Sequence, residues 1–406
     1  MSMNETPSSN RLHIAFFGRR NAGKSSLVNA VTGQNLAIVS DMKGTTTDPV
    51  FKAMELLPLG PVVIIDTPGF DDDGKLGEMR VNRTKQVLNK TDAAVLVLDG
   101  ELPPDSALSA VEAELTGLFN EKKIPYIIAL NKCDLCSTDS MSMASESEIL
   151  PVSAKTGFNI NQLKEKIAVL ALEKEPEQRL VADLIKPNDF IVLVIPIDKA
   201  APKGRLILPQ QQMIRDILEA GANAITVRET ELRQTLADIG KTPSLVITDS
   251  QAFAQVSAIV PQEIPLTSFS ILFARYKGFL KTAVKGAAAL DSLQDGDKVL
   301  ICEGCTHHRQ CDDIGTVKLP RWIRNHCKKE PEFSFCSGGD FPQDLSAYKV
   351  VVHCGACMLN EREMRYRRRH SEEQNIPFTN YGICIAHMNG ILQRCIAMLD
   401  IKEDEQ

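Results

Sequence analysis

A glycine-rich segment near the start of the sequence carries residue types suited to binding phosphates. Gly18–Ser25 reads GRRNAGKS and fits the pattern G-x-x-x-x-G-K-[ST]. An apolar run, IAFF, precedes it, and a helix-forming run, SSLVNAVTG, follows it. Backbone N–H groups from Asn21 to Ser26 can cradle phosphates at the start of that helix. Lys24 adds a positive charge at the β and γ oxygens, and Ser25 can ligate Mg²⁺.

Four further motifs follow this loop in a fixed order. They are TTTD at Thr45–Asp48, DTPG at Asp66–Gly69, NKCD at Asn131–Asp134 and SAK at Ser153–Lys155. This is the order of motifs in GTPases, and chance does not produce five of them in sequence. The five motifs together predict a GTP-binding and GTP-hydrolysing domain.

Each later motif supplies a defined interaction. Asp66 ends an apolar strand and can hold Mg²⁺ through water, while the N–H of Gly69 can sense the γ-phosphate. Asp134 can accept two hydrogen bonds from the guanine edge, with Asn131 and Lys132 bracing the base and the phosphate loop. Adenine would present an acceptor to Asp134, so the pattern favours GTP over ATP.

The nucleotide motifs resemble those of potassium-activated GTPases related to the tRNA-modifying protein MnmE. In that family an asparagine at the position of Asn21 helps to hold a monovalent cation where an arginine finger would otherwise act. Phe70 follows DTPG, where Ras-like proteins have a catalytic glutamine. The resemblance implies slow, potassium-stimulated hydrolysis, although Asn21 could instead satisfy a backbone group of the loop. Thr46 fits the family pattern GTTRD best as the magnesium-ligating switch residue, with Thr45 and Thr47 as alternatives.

These assignments give one set of nucleotide-site residues. The predicted catalytic residues are Lys24, Asn21, Thr46, Asp66 and Gly69. The predicted binding residues are Gly18, Asn21, Ala22, Gly23, Lys24, Ser25, Ser26, Thr46, Asp66, Gly69, Asn131, Lys132, Asp134, Ser153, Ala154 and Lys155. Ser25 and Thr46 are the predicted Mg²⁺ ligands.

A second group of reactive side chains lies near the end of the chain. Nine of the eleven cysteines fall between Cys302 and Cys395. The strand-like runs KVLI and YKVVV lead into CEGCTHH and HCGAC, so cysteine and histidine are expected just past two strand ends. Adjacent parallel strands would bring these residues together at one sheet edge. The candidates are Cys302, Cys305, His307, His353, Cys354 and Cys357.

The spacing of these residues leaves several interpretations open. Zinc would take a closed set of four ligands, two from each turn, whereas an iron-sulfur cluster needs thiolates and tolerates one position without cysteine. Buried cysteines with only a packing role are the third interpretation. Eleven cysteines would be many for disulfides in a reducing compartment.

Here the sequence resembles the HydF family, the maturation GTPases of FeFe-hydrogenase. Cys305-Thr306-His307 and His353-Cys354-Gly355-Ala356-Cys357 match its signature C-x-H … H-C-x-x-C. The resemblance implies a 4Fe-4S cluster bound by Cys305, Cys354 and Cys357. Its exchangeable fourth ligand would be His307, His353 or a carboxylate such as Asp312, unless the histidines only orient the thiolates. Cys302 lies outside the signature and is interpreted as a bystander.

The same resemblance covers essentially the whole chain and implies a role. HydF proteins are dimeric scaffolds that receive a diiron precursor from the radical-SAM proteins HydE and HydG and pass it to the hydrogenase HydA. The basic stretch EREMRYRRRH follows the second cysteine turn. Arg367, Arg368 and Arg369 in it are interpreted either as a solvated helix face or as a docking patch for an anionic partner.

Both groups of residues require an α/β scaffold. Alternating apolar and amphipathic segments predict a P-loop GTPase domain with a mostly parallel sheet over residues 1–174. A small α/β domain at 180–265 and an α/β cluster-binding domain at 266–406 are expected to follow, the first serving dimerisation as the resemblance implies. Residues 270–293 and 386–399 are each expected to contain one helix.

Charge and hydrophobic patterning disfavour nucleic acid and membrane as default partners. The net charge is −6, without the basic excess that nucleic acid would favour. No signal peptide or membrane span is apparent, so a cytoplasmic protein is expected.

The alternative to the HydF-like role is an MnmE-like or Era-like regulatory GTPase of RNA modification or ribosome assembly with a structural zinc site.

Overall fold

The computed structural model describes nine stretches of the chain. They are residues 7–34, 49–57, 59–70, 83–101, 110–136, 149–172, 179–197, 206–304 and 313–399. The chain divides into two compact units, Met1–Pro176 and Glu177–Gln406. None of the helices within these stretches is both long and apolar enough to cross a bilayer.

The first unit contains a six-stranded sheet in the order β2-β3-β1-β4-β5-β6. Its strands are β1 Leu12–Phe17, β2 Val50–Leu56, β3 Gly60–Asp66, β4 Ala93–Asp99, β5 Tyr126–Asn131 and β6 Ile149–Pro151. Only β2, at one edge, runs antiparallel to its neighbour. Three helices accompany the sheet, α1 Lys24–Thr32, α2 Ala110–Glu121 and α3 Ile160–Leu172, and residues 83–88 are also helical.

Both faces of this sheet are covered, as its continuous apolar strands predict. In β1, Ile14 and Phe16 belong to one apolar core and Ala15 and Phe17 to a second one. All four side chains are fully buried. The predicted α/β class with an N-terminal, mostly parallel sheet is confirmed.

The second unit contains two four-stranded sheets, each entirely parallel within its described strands. The strands are β7 Phe190–Val194, β8 Asn223–Val227, β9 Leu245–Thr248, β10 Leu266–Ser268, β11 Lys298–Glu303, β12 Glu332–Ser337, β13 Val350–His353 and β14 Phe378–Asn380. The helices are α4 Leu208–Glu219, α5 Leu232–Asp238, α6 Phe253–Ile259, α7 Phe269–Tyr276, α8 Leu280–Ala287, α9 Leu319–Cys327, α10 Glu361–Glu373, α11 Tyr381–Met388 and α12 Leu392–Ile396.

These two sheets share one topology, a repeat that the sequence does not display. Their orders are β10-β9-β7-β8 and β12-β11-β13-β14. When the strands of each sheet are numbered from its own first strand and the first order is read from its other end, both orders are 2-1-3-4. In each sheet the last strand runs directly into a helix whose N-cap is a polar side chain. Ser268 accepts a hydrogen bond from the N–H of Ile271, and Asn380 accepts one from the N–H of Ile383. Asn380 also donates to the carbonyl of Ser270, 3.0 Å away, so the two junctions contact each other.

The helices differ from expectation at two glycines. The helix expected over residues 270–293 is interrupted at Gly278, whose φ is +70°, and the last helix is interrupted at Gly390, whose φ is +68°. Glycine adopts this left-handed backbone without a Cβ clash and commonly ends helices. The middle sheet also extends past residue 265, because β10 pairs with β9. The division into three domains remains a prediction.

Candidate nucleotide and metal sites

The phosphate loop lies between β1 and α1, and its backbone requires two glycines. Gly18 and Gly23 have φ values of +143° and +83°. A Cβ on Gly18 would lie 2.3 Å from the carbonyl oxygen of Val97, and one on Gly23 would lie 2.3 Å from Nδ2 of Asn131. The loop backbone therefore lies too close to β4 at Gly18, and to Asn131 of β5 at Gly23, to leave room for a side chain. Asn21 is exposed with φ +62°, a left-handed conformation that asparagine tolerates.

Lys24 lies within the curve of this loop. Its buried amine donates hydrogen bonds to the carbonyl oxygens of Gly18 at 2.9 Å and Arg19 at 2.6 Å. The DTPG turn lies directly against the same loop, since a Cβ on Gly69 would come within 2.9 Å of the nitrogen of Arg20. The predicted phosphate-binding and γ-phosphate-sensing residues are therefore neighbours.

The magnesium-binding pair is assembled across α1 and β3. The hydroxyl of Ser25 donates to Oδ2 of Asp66 at 2.5 Å. Asp66 is 2% exposed, and its Oδ1 has no hydrogen-bond partner among the described residues. Burial raises the pKa of Asp66, against the lowering effects of the Ser25 hydrogen bond and the charge of Lys24. A buried carboxylate oxygen without a donor, beside a serine hydroxyl, fits the ligands that Mg²⁺ prefers.

The two guanine-binding motifs are hydrogen-bonded to each other, and Asn131 is also hydrogen-bonded to the phosphate loop. Nδ2 of Asn131 donates to the carbonyl of Ala22 at 3.0 Å, and its Oδ1 accepts from the N–H of Ala154 at 3.1 Å. Ser153 donates to Asp134 at 2.6 Å, which lowers the pKa of that carboxyl. An ionised Asp134 is the form that accepts hydrogen bonds from a guanine edge.

Lys132 makes different contacts from those expected. Its amine donates to Asp99 at 2.9 Å and Glu101 at 3.0 Å, so it braces the end of β4 rather than the phosphate loop.

An open cavity of about 500 Å³ lies beside the start of α1, lined among others by Ser26, Asn29 and Lys155. Thr46, Thr45 and Thr47 lie outside the described residues.

The strands that lead into the two cysteine-containing turns lie side by side in the second unit's last sheet. β11 and β13 are parallel neighbours, and Cys302 lies directly opposite His353. Cys302 is the penultimate residue of β11 and His353 is the last residue of β13, so both lie within their strands rather than after them, which corrects the expected placement. Cys354 and Cys357 follow β13, whereas Cys305, His307 and Asp312 lie outside the described residues.

Backbone geometry shapes the turn that carries Cys354 and Cys357. The N–H groups of Gly304 and Ala356 point at the sulfur of Cys354, at 3.1 and 3.4 Å. Ala356 holds φ at +57°, which is unusual for a residue with a Cβ. Burial raises the pKa of Cys354 to about 11 and also raises that of Cys357. Donors directed at a buried sulfur fit a bound thiolate, because hydrogen bonds to sulfur are a general feature that tunes iron-sulfur clusters.

A buried lysine lies near this turn. Lys277 is 3% exposed and donates to the carbonyl of Leu359. Burial lowers its pKa to about 8, and the neighbouring sulfurs of Cys357 and Cys354 act in the opposite direction. Its charge partly offsets that of thiolates at Cys354 and Cys357.

His353 is held on both sides of its ring. Nε2 lies 3.0 Å from the guanidinium of Arg367, and Nδ1 lies 3.0 Å from the carbonyl oxygen of Cys354. Arginine only donates, so Nε2 accepts and Nδ1 carries the proton. Burial, and then the charge of Arg367, lower the pKa of His353 to about 3. This arrangement favours orientation of the cysteine turn over ligation of iron.

The arginine run does not lie on one solvated face. Arg367 is completely buried, and its guanidinium pairs with Glu363 at 2.8 Å and donates to the carbonyl of Gly338. Arg369 is exposed, and Arg368 lies 3.9 Å from Glu372. The interpretation of Arg367 as part of a surface patch is wrong, because α10 turns this residue towards the sheet.

Cys302 has a partner that sequence analysis missed. It lies opposite Cys336 on the neighbouring strand β12, with the two sulfurs 3.0 Å apart. Burial raises the pKa of Cys302, whereas the hydrogen bond with that thiol lowers the pKa of Cys336. The pairing was not apparent because β12 was not predicted from the sequence.

Three protein-family models match the chain. The model described as the hydrogen maturase F tetramerization domain matches residues 281–398. The hydrogen maturase F dimerization domain matches residues 180–278, and a 50S ribosome-binding GTPase model matches residues 13–132. The two maturase models together span more than half of the sequence.

Three curated relatives each match less than half of the chain. GTPase Der of Wolinella succinogenes is 35% identical over 176 residues, which is 40% of this chain and 36% of that protein. The tRNA modification GTPase MnmE of Endomicrobium trichonymphae is 32% identical over 191 residues, 45% of this chain and 40% of that protein. GTPase Era of Heliobacterium modesticaldum is 27% identical, over 48% of this chain and 74% of that protein. The chain thus spans little more than a third of the Der and MnmE relatives.

Solved structures show the same limited likeness. Aquifex aeolicus Era bound to GDP and aluminium fluoride is 20% identical, covering 57% of this chain and 98% of that one, with a TM-score of 0.35. A bacterial selenocysteine-specific elongation factor is 22% identical, covering 42% of this chain and 30% of that one, with a TM-score of 0.34.

Proposed function

This chain belongs to the hydrogen maturase F (HydF) family and carries a GTPase domain, and we propose that it acts in FeFe-hydrogenase maturation as a scaffold. In this role it holds a 4Fe-4S cluster and transfers a diiron precursor to the apo-hydrogenase. The observation that carries the proposal is that the cysteine turn after β13 lies beside the end of β11, at one edge of the sheet.

The GTPase part of the proposal rests on the residues around the phosphate loop. Lys24 places its amine inside the loop, where it faces the β and γ oxygens of bound GTP. Ser25, and Asp66 through water, would hold Mg²⁺, which would stabilise the negative charge of the phosphates. Ser153 keeps Asp134 ionised and oriented for guanine. These residues bind and orient the nucleotide, while the turn at Gly69 couples the γ-phosphate to the following segment.

Potassium stimulation is a finer part of the proposal. Phe70 is 7% exposed and occupies the position after DTPG, where Ras-like proteins have glutamine. Asn21 projects from the phosphate loop as an exposed residue. A monovalent cation held near Asn21 would add positive charge beside the phosphates, in the place that an arginine finger fills in other GTPases, and turnover would be slower without it.

The cluster part rests on the turn after β13. Cys354 and Cys357, together with Cys305, are the proposed thiolates of the cluster. A 4Fe-4S cluster bound by these thiolates would supply an iron with one exchangeable position for the cargo. The N–H groups of Gly304 and Ala356 fix the sulfur of Cys354, and Arg367 holds His353 against the same turn.

Self-association is supported by the two family models, which describe dimerization and tetramerization domains. We propose a homodimer formed through residues 180–278. The radical-SAM proteins HydE and HydG would load the diiron precursor, and HydA would receive it. No role for nucleic acid or membrane is proposed.

Activation of apo-hydrogenase tests the whole proposal. The full chain, loaded by HydE and HydG, is compared with Cys354→Ala and Lys24→Ala variants that have been loaded in the same way. We expect hydrogen evolution after mixing with the wild-type chain and its loss with Cys354→Ala. Lys24→Ala should lose GTP hydrolysis, and an activation yield equal to that of the wild-type chain would show that transfer does not require hydrolysis.

Metal analysis separates the proposal from its alternative. An anaerobically reconstituted chain should be brown and contain iron and sulfide. A colourless chain that holds zinc tightly at the same cysteines, and that fails to activate hydrogenase, would overturn the scaffold role. Such a result would instead favour a regulatory GTPase with a structural zinc site.

A further inference from the structure

We infer that the second unit carries a separate binding site for a divalent cation, formed by Asp291, His326 and His387. The ligand atoms of all three side chains lie within 4.8 Å of one another. Nε2 of His326 lies 2.7 Å from Oδ1 of Asp291, and Nε2 of His387 lies 3.0 Å from both carboxylate oxygens. Two imidazole nitrogens thus converge on one carboxylate.

Three different elements bring these side chains together. Asp291 lies in the short 3₁₀ helix Ala288–Ser292, His326 in α9 and His387 in α11. The two histidine rings meet edge to face, with centroids 5.7 Å apart. Since side chains from three elements point inward before any ion arrives, binding needs little reorganisation.

The local electrostatics favour a cation. His326 and His387 each lie in the last turn of a helix, where the backbone dipoles leave partial negative charge. Asp291 adds a negative charge, because an exposed carboxylate is ionised near neutral pH. Two helix ends and one carboxylate therefore face the same point.

The donor set selects the class of ion. Two imidazole nitrogens and one carboxylate oxygen suit a borderline cation such as Zn²⁺, with M–N and M–O distances of about 2.0–2.2 Å. The separations of 2.7 and 3.0 Å between the imidazole nitrogens and the carboxylate oxygens are close to those of neighbouring ligands around such an ion. The side chain of Asp291 is 53% exposed and those of His326 and His387 are 25% and 23% exposed, so water can complete the coordination.

This site is chemically distinct from the cysteine turn. It contains no sulfur among its described residues, and none of its members belongs to the C-x-H … H-C-x-x-C signature. Zn²⁺ bound here would therefore lack sulfur-to-metal charge transfer, whereas an ion at the cysteines would show it. That difference allows the two sites to be tested separately.

Zinc titration of the full-length chain tests the inference. The chain should carry no histidine tag and should have its cluster reconstituted, so that the signature thiols are occupied. We expect competition with a chromophoric chelator to reveal one bound Zn²⁺ that is lost in His326→Ala and Asp291→Asn. Loss of an outer hydrogen-bond partner already weakens metal sites by about 10–100-fold, so loss of a ligand should weaken this one by at least about 100-fold. His370→Ala, a histidine outside the site, should bind as the wild type does.

Two further measurements keep the result unambiguous. Co²⁺ in place of Zn²⁺ should give d–d bands whose intensity falls in Asp291→Asn, without sulfur-to-cobalt charge transfer. Circular dichroism should show that Asp291→Asn, a change at an exposed position, keeps the fold. Equal zinc binding by wild type and both site variants, or a cobalt spectrum with sulfur ligation, would overturn the inference.

Discussion

Arg367 of α10 donates a hydrogen bond of 3.0 Å to Nε2 of His353 at the end of β13. Both side chains are completely buried. The same guanidinium is neutralised by Glu363 one helical turn earlier. Because Nδ1 of His353 bonds to the carbonyl of Cys354, this contact extends from the helix to the cysteine turn.

Replacing Arg367 with methionine should destabilise the second unit. The change leaves Glu363 as an unpaired buried charge and His353 without its donor, and breaking a buried pair in this way costs roughly 3–5 kcal/mol. The urea midpoint of the full chain, followed by circular dichroism, should fall accordingly. Arg369→Met, two residues further along the same helix and exposed, should change the free energy of unfolding by less than about 0.5 kcal/mol. Similar midpoints for both variants would contradict the proposed role of the buried network.

Gly23→Ala should impair nucleotide binding. Its Cβ would lie 2.3 Å from Nδ2 of Asn131, so the brace between the phosphate loop and the guanine motifs would break. Loss of those hydrogen bonds should weaken GTP binding about tenfold or more, measurable with a fluorescent GTP analogue. Gly60 is a matched control, because its φ of +80° is close to the +83° of Gly23, yet a Cβ there would meet only Glu55, at 3.9 Å. Gly60→Ala should cost about 1–2 kcal/mol of stability from backbone strain and leave GTP affinity unchanged.

The nucleotide site was largely predictable because each motif is a short run of consecutive residues and the order of the motifs is that of GTPases. Lys24, Ser25 and Asp66 lie together as their motifs require. Thr46 and Cys305 lie outside the described residues, so their assignments remain predictions. The contacts of Lys132 with Asp99 and Glu101 depend on neighbouring strands and could not be read from NKCD.

The arginines at positions 367–369 show why a basic stretch of sequence does not by itself predict which arginines are exposed. Buried residues of α10 include Met364, Arg367 and Ser371, whose helical spacing places them on one face. That spacing was visible in the sequence. A buried arginine is rare, however, because it needs hydrogen-bond partners. Only the fold identifies Glu363 and Gly338 as those partners. Asp291, His326 and His387 have no shared local pattern at all.

Cys354→Ala should abolish stable cluster binding, whereas Cys302→Ala should preserve it. Both residues lie at the same sheet edge, but Cys354 accepts two N–H bonds at its sulfur while Cys302 contacts the sulfur of Cys336. Iron and sulfide content after anaerobic reconstitution, with the electron paramagnetic resonance signal of the reduced cluster, measures the difference. Equal iron loss in both variants would show that Cys302 belongs to the ligand set and that the three-thiolate assignment is wrong.

Asn21→Gly should remove potassium stimulation while leaving nucleotide binding intact. Asn21 has φ +62°, so an alanine would confound loss of the side chain with backbone strain, whereas glycine adopts this conformation freely. We expect wild-type GTP turnover to be faster in potassium chloride than in sodium chloride at equal ionic strength, and the variant to show equal, low rates in both salts. Affinity for GDP should be unchanged, which confirms that the loop keeps its shape. If the variant retains the potassium effect, Asn21 serves only the left-handed turn of the loop, and the cation must be held by other groups.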